Sequence, residues 1–372
     1  MLRRKILPTA CLLAAATVLP LRAFYQAEDD RSGGGGSYVY TMTNAAASNA
    51  VMVLHQNNDG SLTPVGPVPT GGRGTGAGLG SQGSLVLTNS GRWLLAVNAG
   101  SDDISVFRVS SHGMLTLASR TASGGTMPIS LTVSSHLVYV LNAGTPNNIT
   151  GFTLGNDGSL APIANSTRAL SAPAVGPAQV QFTADGGHLV VTEKGPNLID
   201  VFPVAQGIPG ARVASPSHGV TPFGFAFAKR DRLLVSEAFG GAANASAASS
   251  YEIAANGTLE LISGSVPTSQ TAACWLIVTP SGSFAYTTNT GSRTVSAFSI
   301  DRDGALTLIP GALAQTPAGG PIDASFSGSG RYLHVLTANG ATIVSFRAQS
   351  NGSLEMVGTI PAPPTAVGLA AN

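Results

Sequence analysis

The chain is poor in sulfur, charge and aromatic rings: of 372 residues, 2 are Cys, 10% are charged and 6% are aromatic. Of the cysteines, Cys11 lies in a segment expected to be removed, so Cys274 is left alone, no internal disulfide can form and packing must hold the fold. Common surface-helix residues are scarce while 46 Gly and 23 Pro are present, which excludes long helices because these two are the poorest helix formers. There is no basic excess either; a formal net charge of +1 speaks against a nucleic-acid partner, which calls for a basic face. What is abundant is apolar sequence, 43% of residues, enough to build a core and to exclude a disordered chain. The balance is that of a Gly-rich, all-β chain, a class in which a single unit often exceeds the usual domain size.

Residues 1–23 begin with Arg3, Arg4 and Lys5, continue through an uncharged apolar run to Leu21, and end at Arg22-Ala23. A basic start, a short apolar stretch and a small residue predict a secretory signal peptide, with a secreted or periplasmic location. The run contains Pro8 and Pro20 and is short for a bilayer span, so no stable membrane span is expected once it is cleaved. Without it, 15 basic residues face 18 acidic ones. Residues 24–37 (FYQAEDDRSGGGGS) read as a flexible leader, and 38–372 as one folded unit.

A repeat settles the fold class. Turn glycines followed by a short apolar strand recur at Gly60, Gly113, Gly158, Gly207, Gly257, Gly304 and Gly352, at intervals of 45–53 residues. Asp-Gly and Asn-Gly pairs here predict hairpins with both central residues at positive φ. Upstream in each copy lie two alternating strands around a polar turn, as in WLLAVNAGSDDISVF (93–107) and FAYTTNTGSRTVSAF (284–298), preceded by a further short strand such as AQVQF (178–182) or WLIVT (275–279). Four strands in each of seven copies predict a seven-bladed β-propeller. The first copy lacks an innermost strand, and the C-terminal PPTAVGLAAN (363–372) aligns with the innermost strand TPFGFAFA (221–228). The C-terminal strand is therefore expected to close the first blade.

The residue ending each second strand, read across copies, is Asn44, Asn98, Asn142, Glu193, Glu237, Asn289 and Thr337. Asparagine suits turns structurally. Two adjacent blades carry Glu193 and Glu237, carboxylates that at a channel mouth could share a proton for acid–base work, hold a cation, or be solvated turn acids. Phe223, Cys274, Trp275 and Asp323 begin first strands. Trp275 offers a stacking surface or inter-blade packing; Cys274 has no nearby histidine to make it a nucleophile. His218 and Arg168 lie in connections on the same face, Arg168 as a holder of an anionic group or a plain surface residue. Gly78, Gly80 and Gly83 match G-x-G-x-x-G, but the segment enters a strand, so the dinucleotide reading fails; its amides could still form an anion nest. No metal-ligand cluster is seen, and no metal or cofactor is expected. Two tryptophans exclude a per-blade tryptophan pattern of quinone dehydrogenases, and sialidase Ser-x-Asp-x-Gly-x-Thr-Trp boxes are missing.

The blade cores VNAGSDDISVF (97–107) and TNTGSRTVSAF (288–298), with the recurrent DGSL turn, resemble the lactonase family of seven-bladed propellers, which includes 6-phosphogluconolactonase and the fungal carboxymuconate lactonising enzyme. The resemblance covers about residues 38–370. That family's fifth blade starts Pro-Arg-His and has a second strand ending Asn-Glu; here Pro222-Phe223-Gly224 lacks the Arg and His, while Ser236-Glu237 keeps the glutamate. Its sixth-blade Ala-Glu-Ile-Arg and Asn-Arg-Gly stand here as Cys274-Trp275-Leu276-Ile277 and Asn289-Thr290-Gly291, and the fourth blade's Pro-His as Pro177-Ala178. Several basic groups for a phosphate or carboxylate are thus absent. The resemblance implies a metal-independent, 6-phosphogluconolactonase-like lactone hydrolase at the channel mouth, working as a monomer on a small lactone or sugar. Glu237 is the expected base, Glu193 its tuner, and Asn98, Asn142, Asn289, Trp275, His218 and Arg168 the substrate-binding residues. The contrasting expectation is a non-catalytic propeller that binds a neutral sugar or a protein partner.

Overall fold

The structure, a computed structural model, describes residues 36–372; the signal-peptide expectation and nearly all of the expected leader lie outside them. The described chain forms seven antiparallel sheets of four or five strands, the blades of a propeller. Blade 1 is assembled from both ends of the chain. Its inner strand Val367–Ala371 pairs with Ser37–Met42 in the register Val39↔Ala371, Tyr40↔Ala370, Thr41↔Leu369, as the repeat alignment predicts. Among the described residues no helix is long and apolar enough to cross a membrane.

Second strands are buried on both faces, as in Trp93–Asn98, and they read as continuous apolar runs for that reason. Outermost strands alternate, as in Leu62–Pro69, because only one face meets a neighbouring blade. Three blades depart from a simple fourth strand. In blades 3, 4 and 6 it is split into two short pieces: Leu160–Pro162 with Arg168–Ala169, Ile208–Pro209 with Val213–Pro216, and Leu306–Leu308 with Ala314–Gln315. Pro162, Pro209 and Pro310 stand at the breaks, where a missing N–H ends the ladder.

The turn glycines explain the repeat. All seven take positive φ, from 66° at Gly113 to 96° at Gly304. In six copies the residue before does not, so the expected two-residue hairpin is replaced by a tighter arrangement; Gln206-Gly207 alone has both at positive φ, with Ala205 paired to Ile208. Asp59, for example, accepts from the N–H and hydroxyl of Ser61 and so braces the turn from the side. A Cβ on Gly60 would meet the Tyr332 ring at 2.2 Å, and one on Gly113 the Tyr38 ring at 2.1 Å. Glycine is therefore required twice over, for φ and for contact with the preceding blade.

A second regularity shapes the channel. In blades 3 to 7 the pairing of first and second strands slips by one or two residues at the entry, past Pro128, Pro177, Pro222, Ala273 and Pro321. Ile129, Ala178, Phe223, Cys274 and Ile322 are among the residues skipped, and the last four pack with Trp275 as one apolar cluster.

Candidate functional site

The segment 71–83 leaves blade 1 for blade 2 but does not take the short way. Ser81 Oγ donates to the Ile129 carbonyl at 2.8 Å in blade 3, and the Gln82 N–H donates to Ala178 at 3.1 Å in blade 4. On blade 6, Trp275 Nε1 donates to the Ser81 carbonyl at 2.9 Å, and the Gln82 side chain both donates to and accepts from the Leu276 backbone. Contacts on blades 3, 4 and 6 place this glycine-rich segment across the channel axis. Leu79, within the segment, is buried. Among the described residues, the N–H groups of Gly78, Leu79, Gly80 and Ser81 meet no acceptor. They border a cavity of about 290 Å³ whose other walls are Trp275, Ile322 and Val367.

Lys194 reaches the same segment from blade 4. Its Nζ donates to the Gly80 carbonyl at 2.7 Å and stands 4.6 Å from the centre of the Phe223 ring, which in turn packs on Trp275 with centroids 5.0 Å apart. No carboxylate among the described residues pairs with it. Burial lowers this amine to about 8, despite the neighbouring Cys274. The Cys274 thiol is pushed up to about 11 by burial, so it stays protonated at neutral pH.

The column of second-strand ends points elsewhere. Glu237 is fully buried and faces outward within blade 5. Its Oε1 accepts from the Gly219 N–H at 2.8 Å and from Ser249 Oγ, and its Oε2 from Ser265 Oγ at 2.7 Å. A Cβ on Gly219 would lie 2.1 Å from Oε2, so no space remains around that carboxylate. Glu193, equally buried, accepts from the N–H and hydroxyl of Ser171. Beside it, burial and the Glu193 carboxylate raise Asp200, against the pull of Arg212 at 2.9 Å. The two glutamates therefore have separate partners: Glu193 bonds Ser171 and lies beside Asp200, and Glu237 accepts from Gly219, Ser249 and Ser265.

The remaining predicted residues are also dispersed. Asn98 bonds Asp103, Ser105, Thr70 and Asn49; Asn289 bonds Thr294 and Ser296; Asn142 bonds Asn148. Asn98 and Asn142 also tie their blades to the incoming chain, at Thr70 and at the Ser123 carbonyl, whereas the bonds of Asn289 stay within its own blade. Arg168 spends its guanidinium on the carbonyls of Asn165, Thr167, Pro209 and Gly210. His218 is exposed, with its N–H on the Tyr251 hydroxyl. Of the eight, Trp275 alone borders the cavity.

Sequence reasoning passed over Lys194, although a signal was present. The residue following each second-strand end is Ala45, Ala99, Ala143, Ala238, Thr290 and Ala338 in the other blades; blade 4 alone has a base there. Asp200 likewise occupies the third-strand position of Ser105, Thr150, Ser249 and Ser296. Lower in the channel, Asp323 is held up at about 8 by burial, with the Ala324 N–H at 2.8 Å on Oδ1. Among the described residues no group of three or more His, Cys, Asp and Glu could hold a metal ion.

No match is found among curated proteins. Solved structures share the architecture. A 6-phosphogluconolactonase candidate from Bacteroides fragilis is 19% identical, with TM-score 0.72, over 92% of this chain and 100% of the other. The periplasmic gluconolactonase of Pseudomonas aeruginosa is 18% identical, with TM-score 0.72, over 90% and 98%. A Lactobacillus plantarum protein is 17% identical, with TM-score 0.74, over 91% and 99%. At these identities the likeness is one of fold. The family described as "Lactonase, 7-bladed beta-propeller" matches residues 24–175 and 262–371, well over half of the sequence. The chain belongs to the lactonase family of seven-bladed β-propellers.

Proposed function

We propose that this protein hydrolyses a small lactone beneath the segment 71–83, as an exported, metal-independent enzyme acting as a single chain. The observation that carries the reading is Lys194: a half-buried amine with no ion-pair partner among the described residues, lowered to about 8, bonded to Gly80 of the segment that roofs the cavity. The cavity walls suit an apolar or weakly polar ring, and the free N–H groups of Gly78 to Ser81 suit a carbonyl oxygen that becomes an oxyanion. Water attacks the lactone carbonyl carbon while neutral Lys194 Nζ takes its proton. The ring C–O bond then breaks, the proton passes to the departing alkoxide, and a hydroxy acid leaves. Glu237 and Glu193 act in this reading as positioning residues, holding the linkers that carry Gly219 and Ser171.

The test is hydrolysis of sugar, aliphatic and aromatic lactones by the purified protein and its variants. Lys194→Met is expected to lower kcat by about 10²-fold or more with the fold intact. Loss of rate in Glu237→Gln at unchanged stability, with Lys194→Met active, would move the base to Glu237. Inertness of the native protein to every lactone sinks the hydrolytic reading.

A further inference from the structure

Seven copies of one blade let each turn be compared with its counterparts. Between first and second strands, blades 2, 4, 6 and 7 read TNSGRW (88–93), TADGGH (183–188), TPSGSF (279–284) and SGSGRY (327–332), with Gly91, Gly186, Gly282 and Gly330 at positive φ. Blade 5 reads AKRDRL (228–233). Its charged residues Arg230 and Asp231 take φ of 62° and 54°, conformations that disfavour side chains; blades 2, 4, 6 and 7 give them to glycine, and blade 3 uses one such residue, Ser135.

This turn faces blade 6 across a cavity of about 310 Å³, on the end of the propeller opposite segment 71–83. Lys229, Arg230, Arg232 and Arg302 supply its basic wall. Two glycines make room for them: a Cβ on Gly282 would lie 2.9 Å from Lys229 Cγ, and one on Gly304 2.8 Å from Arg232 Cγ. The nearby acids are largely engaged. Asp301 Oδ1 takes the N–H groups of Asp303 and Ala305, and Asp231 Oδ1 takes that of Ala184. Glu252 holds Arg232 NH1 at 2.7 Å, and exposed Asp303 reaches Arg230 only at 4.0 Å. Lys229 and Arg302 have no ion-pair partner among the described residues, and Arg232 Nε is buried without an acceptor. One buried donor, Arg232 Nε, is therefore left without a protein acceptor beside the solvent-facing basic groups of Lys229, Arg230 and Arg302.

We propose that this seam between blades 5 and 6 binds a phosphate group, as inorganic phosphate or as the head of a small phosphomonoester. Guanidinium forks match phosphate oxygens in pairs, and the ammonium of Lys229 adds a point charge beside them. The site shares no residue with the hydrolytic reading and stands or falls separately from it.

The test is calorimetric and thermal-shift titration of the whole protein with inorganic phosphate, and then glycerol 3-phosphate, each against chloride at equal ionic strength. Saturable stabilisation is expected, with affinity falling roughly tenfold or more in Lys229→Ser/Arg302→Ser, since charged hydrogen bonds are lost. Arg108→Ser, an exposed charge in blade 2, should bind as the native protein does. The single variant Arg302→Ser, with an unliganded Tm equal to that of the native protein, excludes misfolding as the cause. Absence of saturable binding beyond chloride overturns the proposal, as does equal affinity in the double variant.

Discussion

At the scale of single residues, this propeller places its unusual ionisable groups where water is scarce. Lys194 is lowered, so in the fold it releases its proton before the unfolded chain does. The stability it withholds below about pH 8 is regained as pH rises from about 8 towards its ordinary value near 10.5. Catalysis by its neutral form has the matching signature: the lactone rate should climb with pH and level off above about 8, and the climb should vanish in Lys194→Met. Asp323 behaves in the opposite sense. Burial raises it from 3.8 to about 8, so the folded protein holds a proton that the unfolded chain has released, and stability declines as pH rises through that window. Asp323→Asn keeps the shape of the neutral acid and is expected to flatten this decline. Urea midpoints of the two proteins from pH 5 to 8 decide the matter: parallel curves would show that Asp323 does not titrate in that range.

At the scale of elements, the second-strand ends are clamps. Gly219 is the clearest case, since its amide feeds Glu237 and its missing side chain leaves the carboxylate its place. Gly219→Ala should destabilise the protein by about 1–3 kcal/mol through overpacking alone, measured by equilibrium denaturation. An unchanged midpoint would mean that the linker of blade 5 gives way freely. The same column marks the limit of what the sequence discloses. Turn glycines and alternating strands announced seven blades and the clasp of the first, because those patterns are imposed by φ and by the two faces of each strand. The column Asn98, Asn142, Glu193, Glu237 was equally visible, but alignment reports that positions are equivalent and not which way they point. All seven members of the column are buried, and the hydrogen bonds of Asn98, Glu193 and Glu237 run to strands and linkers of their own or adjoining blades. The position one further along turns toward the axis in blade 4, and there Lys194 stands where five blades have alanine and one threonine. Contacts of segment 71–83 with blades 3, 4 and 6 carried no local signal, since they depend on ring closure.

At the scale of the whole molecule, the seam between blades 7 and 1 carries a hydrogen-bonded histidine. His334 in blade 7 sits between Ser345 Oγ at 2.9 Å and Gln56 Oε1 of blade 1 at 2.8 Å, and burial lowers it to about 4. A lowered base favours the fold while it stays neutral, so this contribution is full above about pH 6.5 and is lost as pH falls from there to about 4. His334→Gln should abolish that acid sensitivity, and urea denaturation at pH 7 and pH 5 measures it; equal losses in both proteins would place the sensitivity elsewhere. The family match covers segment 71–83, Trp275 and Arg302, while residues 176–261, with Lys194, both glutamates and the charged turn of blade 5, lie between its two parts. The join between Val367–Ala371 and Ser37–Met42 also has a meaning in time. Ser37–Met42 is synthesised well before Val367–Ala371, so until the later strand arrives the inner edge of the earlier one is bare and the ring stands open.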